Sequence, residues 1–154
     1  MAHSGIMFPA VAAAAVLVAA VSAGAASQSD PAGRWKTVDD KTGRDRSIVR
    51  IDLSDGVLTG RVEQSLDPND KPHALCTLCK GSRKDQPIIG MAILTDLRAD
   101  GDSRHWSGGE IVDPDNGQVY RVKLTLSPDG QTLTVRGFIG ISLIGRSQTW
   151  IRVP

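Results

Sequence analysis

The densest set of reactive side chains in the sequence is Cys76-Thr77-Leu78-Cys79, with His73 three residues ahead of it. Three chemistries are open to this group. Two thiols so close together form a small disulfide ring that staples the surrounding loop, which is the default in an oxidising compartment. A helix N-terminus beside the pair would favour a thiolate and redox activity, but no strand–helix–strand pattern surrounds it. His73, Cys76 and Cys79 together offer three ligands to zinc or copper, one short of a closed tetrahedral site. The disulfide is the leading expectation, and the metal set is its alternative.

Other polar clusters are less specific. Asp39-Asp40, Asp67-Pro68-Asn69-Asp70 and Asp113-Pro114-Asp115-Asn116-Gly117 lack the alternate oxygen ligands, central Gly and closing Glu of a calcium loop. Their Asp and Asn side chains read as turn formers. Nucleophilic catalysis needs a Ser or Cys beside a base and an orienting group. No Gly-x-Ser-x-Gly elbow occurs, and past the N-terminal segment only His73 and His105 offer an imidazole base. Glu110 falls by alternation on the face of Trp106 and Gly108, where burial would raise its pKa; pairing with an arginine or facing water is the stronger expectation. No catalytic residue and no cofactor are therefore assigned, and the protein is expected not to be an enzyme.

Arg136 and Arg146 bracket the chemically most unusual segment. Between them, Phe138 to Ile144 holds only Ser142 as a polar side chain. Pointing inward, the two guanidinium groups could take a carboxylate head group by bidentate hydrogen bonds. Otherwise they satisfy carbonyls or pair with Glu110 or Asp113. The apolar stretch is expected either as a lid or contact patch at a barrel mouth or as a buried hairpin closing the barrel bottom.

A sheet must position these groups. Val119 to Leu126 and Thr132 to Arg136 alternate apolar and polar residues, which buries one face and wets the other. Asn116-Gly117 and Asp129-Gly130 supply the positive φ angles of tight hairpins. Gly33 to Val38 reads as a first strand, and Ser47 to Leu53 with Val57 to Val62 forms a hairpin around Asp55-Gly56. Ser65 to Gln86, with both cysteines, Pro68 and Pro72, is a long connection of the kind that usually carries a purpose or a staple. Pro87 to Leu94 is apolar without alternation, either a strand buried on both faces or a short helical turn. Glycines within the strands, among them Gly60, Gly108, Gly109 and Gly137, either bend the sheet or leave volume inside it. About eight antiparallel strands result, enough to close on themselves.

Ahead of this domain, Ile6 to Ala26 is apolar and rich in Ala and Val, ending in Ala23-Gly24-Ala25-Ala26. That is the small-residue pattern of a signal-peptide cleavage site. Residues 1–26 are expected to be a signal peptide cut near Ala25 or Ala26, leaving a single domain at 27–154, periplasmic or secreted. Lys and Arg number 18 against 17 Asp and Glu, interspersed, with a net charge of +1. Without a basic face, a nucleic-acid partner is not expected. No membrane span is expected after cleavage, because no second apolar stretch is long enough.

Gly33-Arg34-Trp35 in the first strand, with Arg152 near the end of the last, is similar to the lipocalin arrangement. There a first-strand Trp plugs one end of the barrel and an Arg from the chain end packs across it. A wider pattern runs through Cys76-x-x-Cys79, Gln86-Pro87-Ile88-Ile89-Gly90, Trp106-Ser107-Gly108-Gly109-Glu110-Ile111, Asp113-Pro114-x-x-Gly117, Tyr120, Arg136-Gly137-x-x-Gly140 and Gly145-Arg146-x-x-x-Trp150-x-Arg152. Together these resemble an exported bacterial family known as domain of unknown function 2147. The resemblance implies an all-β fold, an eight-stranded antiparallel up-and-down lipocalin-like (calycin) barrel, and it brings no assigned reaction. The expected function is binding of a small apolar ligand, lipid- or fatty-acid-like. Its candidate contacts are Trp35, Tyr120, Val122, Leu124, Leu133, Val135, Arg136, Phe138 and Arg146. The alternatives are a cell-envelope interaction module docking on the Phe138–Ile144 hairpin, and a redox or metal protein built on Cys76 and Cys79.

Overall fold

The computed structural model describes Met1 and residues 29–141 and 143–154. The expected cleavage site near Ala25 or Ala26 lies outside the described residues. Eight antiparallel strands follow one another around a closed barrel: β1 (Gly33–Val38), β2 (Asp45–Ser54), β3 (Val57–Ser65), β4 (Ala92–Asp100), β5 (Asp102–Asp113), β6 (Gln118–Leu126), β7 (Thr132–Phe138) and β8 (Gly145–Val153). Each pairs with the next, and β8 returns to β1 with Trp35 opposite Arg152. Closure satisfies the backbone of every strand edge. Among the described residues, no helix is long and apolar enough to cross a membrane.

Local sequence explains the hairpins. Asp55 and Gly56 both take positive φ (51° and 76°), so β2 turns into β3 without splaying. On β6, Val122, Leu124 and Leu126 are buried while Arg121, Lys123 and Thr125 are exposed, which is the alternation written in the chain. The inward side chains meet in one core with Trp35, Val49, Ile51, Leu58, Leu94, Leu97 and Leu133. Each large apolar side chain buried there contributes about 1.5–3 kcal/mol by leaving water.

Bulges interrupt that alternation and correct one expectation. Between Trp106 and Gly109 the register against β6 shifts, and Gly108 sits at φ 83°. The extra residue moves the following side chains to the opposite face. Trp106 is buried, but Glu110 is exposed, not on Trp106's face as simple alternation predicts.

Pro87 to Leu94 meets the buried-strand expectation only at its end, where consecutive Ile93 and Leu94 are both buried in β4. Its first part is an irregular crossing, in which Pro87 bridges to Leu75 and the Gly90 N–H donates to the Val62 carbonyl at 2.7 Å. β4 begins only at Ala92. The long connection ahead of it folds around the disulfide joining Cys76 to Cys79, both buried. The Cys76 N–H donates to the Gln86 carbonyl at 2.9 Å, and the Ile88 N–H to the Ala74 carbonyl at 3.0 Å. At Gly117 in the β5–β6 turn a Cβ would stand 2.0 Å from the Leu78 carbonyl oxygen. Only glycine lets the loop lie so close to that turn.

Candidate functional site

The two ends of the barrel are built differently. At one end Trp35 is fully buried, and its indole Nε1 donates to the Pro31 carbonyl at 2.8 Å. The Arg152 guanidinium lies 4.3 Å from the Trp35 ring centre. Its nitrogens donate to the carbonyls of Gly130 (2.6 Å), Ala32 (2.7 Å) and Asp30 (2.9 Å). Burial lowers the Arg152 pKa, with the Asp30 charge opposing. A cation stacked on an aromatic face and forked onto carbonyls is a plug. This end is closed.

The other end opens into a cavity of about 600 Å³. Val62, Ile93, Ile111, Val135, Phe138 and Trp150 form its apolar wall. Because β8 side chains alternate, Arg146, Gln148 and Trp150 descend in that order from the mouth along one column, with Arg152 below them. Midway down, neutral polar groups face the hollow. The Thr37 and Ser47 hydroxyls are 2.9 Å apart, and the Trp150 Nε1 donates to the Gln148 Oε1 at 3.1 Å. Tyr120 adds a phenol to the lining.

Charges ring the mouth. Arg46 reaches two carboxylates, Asp67 at 2.7 Å and Asp115 at 2.6 Å, tying β2 to the long loop and to the β5–β6 turn. Arg146 is bidentate on Asp40, which lies just past β1. That Arg146 bond holds the Asp40 carboxyl below its ordinary pKa. The Asn69 N–H does the same for Asp67, helped by Arg46. Asp115 moves the other way: desolvation pushes it up against the pull of Arg46, and Asp113, Asp70 and Asp67 add to the rise. Over one side of the mouth stands the β7–β8 loop, with Ile139, Ile141, Leu143 and Ile144 exposed at 64%, 60%, 84% and 70%. Ile139 and Ile144 also line the cavity. The apolar segment is thus an exposed rim at the open end rather than a buried hairpin at the bottom; Ser142 lies outside the described residues.

The expected ligand contacts separate into three groups. Tyr120, Val135, Phe138 and Arg146 line the cavity. Trp35, Val122, Leu124 and Leu133 are buried in the core and are not part of its wall. Arg136 faces outward, donating to the Ser147 hydroxyl at 3.0 Å and the Leu143 carbonyl at 3.2 Å. Arg136 therefore lacks the inward pose considered for it, and Arg146, though it lines the cavity mouth, is already engaged by Asp40; neither forms an ion pair with Glu110 or Asp113. The sulfurs of Cys76 and Cys79 bond each other, and His73 is exposed. Among the described residues no three His, Cys, Asp or Glu side chains gather as a metal site. Sequence reasoning missed Gln148, Thr37 and Ser47. The available signal was parity, which puts Thr37 with Trp35, Ser47 with Val49 and Gln148 between Arg146 and Trp150.

The chain matches the family described as "Uncharacterized protein conserved in bacteria (DUF2147)" over residues 33–152. No curated protein matches it in sequence. Among solved structures it is similar to protein HP1028 of Helicobacter pylori, described as belonging to the lipocalin family. That likeness has a TM-score of 0.70 at 19% identity, covering 81% of this chain and 84% of the other. At that identity it is a likeness of fold.

Proposed function

The chain belongs to the DUF2147 family of uncharacterized bacterial proteins, and from that premise we propose that it is an exported, lipocalin-like carrier of one small, largely apolar, lipid-like molecule. The single observation that carries this reading is the cavity of about 600 Å³ at the open end, walled by aliphatic and aromatic side chains. Small-molecule sites typically enclose roughly 300–1,000 Å³ with mostly apolar walls and few polar groups. About 300 Å² of ligand surface removed from water would contribute roughly 7 kcal/mol, less the cost of the ligand's lost freedom. Binding is passive and involves no reaction. Export is supported by the signal-like segment at residues 1–26 and by the Cys76–Cys79 disulfide, which suits an oxidising compartment.

Gly137 supplies the test. It lines the cavity, and a Cβ there would meet Tyr120 Cβ at 3.5 Å and Ile111 Cγ2 at 3.7 Å, ordinary contact distances. A phenylalanine side chain at this position grows into the hollow. Wild-type protein is expected to take up the neutral apolar probe N-phenyl-1-naphthylamine, and Gly137→Phe to keep its circular dichroism while binding at least tenfold more weakly. Equal binding by a folded Gly137→Phe would refute the cavity as the site.

The exposed β7–β8 loop favours a second reading, a surface for a protein partner in the cell envelope. Its four uncovered apolar side chains are the supporting observation. Ile141→Ser combined with Leu143→Ser would then abolish partner capture and leave uptake of the probe intact.

A further inference from the structure

We infer, building on the carrier reading above, that the cavity selects an apolar molecule whose polar end is an uncharged carbonyl or hydroxyl group, and that it discriminates against carboxylates such as fatty-acid anions. The inference starts from the rim. Two cations line the cavity, Arg46 and Arg146, and both are already engaged by acids, Arg46 by Asp67 and Asp115 and Arg146 by Asp40. Four carboxylates, Asp39, Asp70, Asp113 and Asp115, line the same mouth. An incoming anion meets a surplus of negative charge there. To pair with either arginine it must displace a resident carboxylate and leave that group without its partner. The crowding already acts on Asp115, whose carboxyl is pushed up by desolvation and by its acidic neighbours.

Below the rim, the hydrogen-bonding groups are neutral and their free valences can be counted. The Trp150 indole holds Gln148 by its oxygen. Gln148 lines the cavity, and its Nε2 makes no hydrogen bond among the described residues. Thr37 Oγ1 accepts the Ser47 backbone N–H at 3.1 Å and shares one hydroxyl proton with Ser47 Oγ. Whichever of the two donates, one hydroxyl proton is left over. The cavity therefore offers an amide N–H and a hydroxyl to an acceptor on the ligand. A carbonyl or alcohol oxygen satisfies them. A carboxylate would also accept from them, but it must give up its hydration among apolar walls with no counter-ion.

Three compounds of one chain length separate these alternatives: tetradecanol, methyl tetradecanoate and sodium tetradecanoate. Each competes against N-phenyl-1-naphthylamine at neutral pH, and tetradecane gives the reference for the chain alone. The alcohol and the ester are expected to bind at least tenfold more tightly than tetradecanoate. In Gln148→Leu, the advantage of the ester over tetradecane is expected to shrink about tenfold, both measured against the probe's affinity in that variant. Thr37→Val should shrink it in the same sense. Tetradecanoate binding as tightly as the alcohol overturns the inference, as does an unchanged ester advantage in Gln148→Leu. Probe uptake with no displacement by any of the three overturns it too, while leaving apolar binding in place. Failure of the wild-type protein to take up the probe instead removes the carrier reading itself.

Discussion

Arg152 shows how much a single side chain can hold. It caps the buried indole of Trp35 and donates to three carbonyls belonging to the segment before β1 and to the β6–β7 turn. Removing it strips the ring of its cover and leaves those carbonyls without their donor. Arg152→Ala is expected to cost about 3 kcal/mol, read as a lower urea midpoint at unchanged m. Arg152→Lys should recover less than half of that, because an ammonium lacks the planar fork. The Trp35–Arg152 pairing is expected from the resemblance to lipocalins, carried by Gly33-Arg34-Trp35 and Arg152. Glu110 was misplaced because alternation tells inside from outside only while the register is unbroken, and the bulge at Gly108 breaks it. The partner of Arg146 was beyond reach because Asp40 is 106 residues away in sequence.

At the scale of elements, the connection between β3 and β4 is the part with the fewest strand-like restraints. The disulfide closes a ring of sequence separation 3 within it. Replacing both cysteines, Cys76→Ser with Cys79→Ser, is expected to cost about 2 kcal/mol from ring-closure entropy. The visible consequence is local. Limited proteolysis should cut within residues 66–91 faster in the double variant, while the far-ultraviolet circular dichroism of the barrel is kept. The hairpins themselves were legible because Asp55-Gly56, Asn116-Gly117 and Asp129-Gly130 encode their turns within a few residues. The start of β4 was not, since an apolar run such as Pro87 to Leu94 carries no period to distinguish its states.

Over the whole molecule, charge closes the open end and pH tests it. Asp40, held down by the Arg146 bond, and Asp39 and Asp67, held down first by backbone N–H donors, have folded pKa values below their ordinary ones. Such groups stabilise the fold above the ordinary carboxylate range and lose that contribution as pH falls through their folded values. Asp115, held up by desolvation, has the opposite sign and offsets part of the loss. Thermal unfolding is therefore expected to move little between pH 7 and 5, and Tm to fall below about pH 4. Asp40→Asn should lower Tm at neutral pH and make the acid decline shallower. A decline as steep as the wild type's would show that this ion pair takes no part. Strand order and turn positions follow from patterns that repeat every second residue or span a few neighbours, and those the sequence determines by itself; the plugged end is carried by the resemblance to lipocalins. Whether the inward side chains fill the barrel or leave a hollow, and which acid neutralises which arginine at its mouth, only the tertiary structure decides. Both depend on the volumes and charges that eight distant strands bring to one place, and no local pattern encodes that sum.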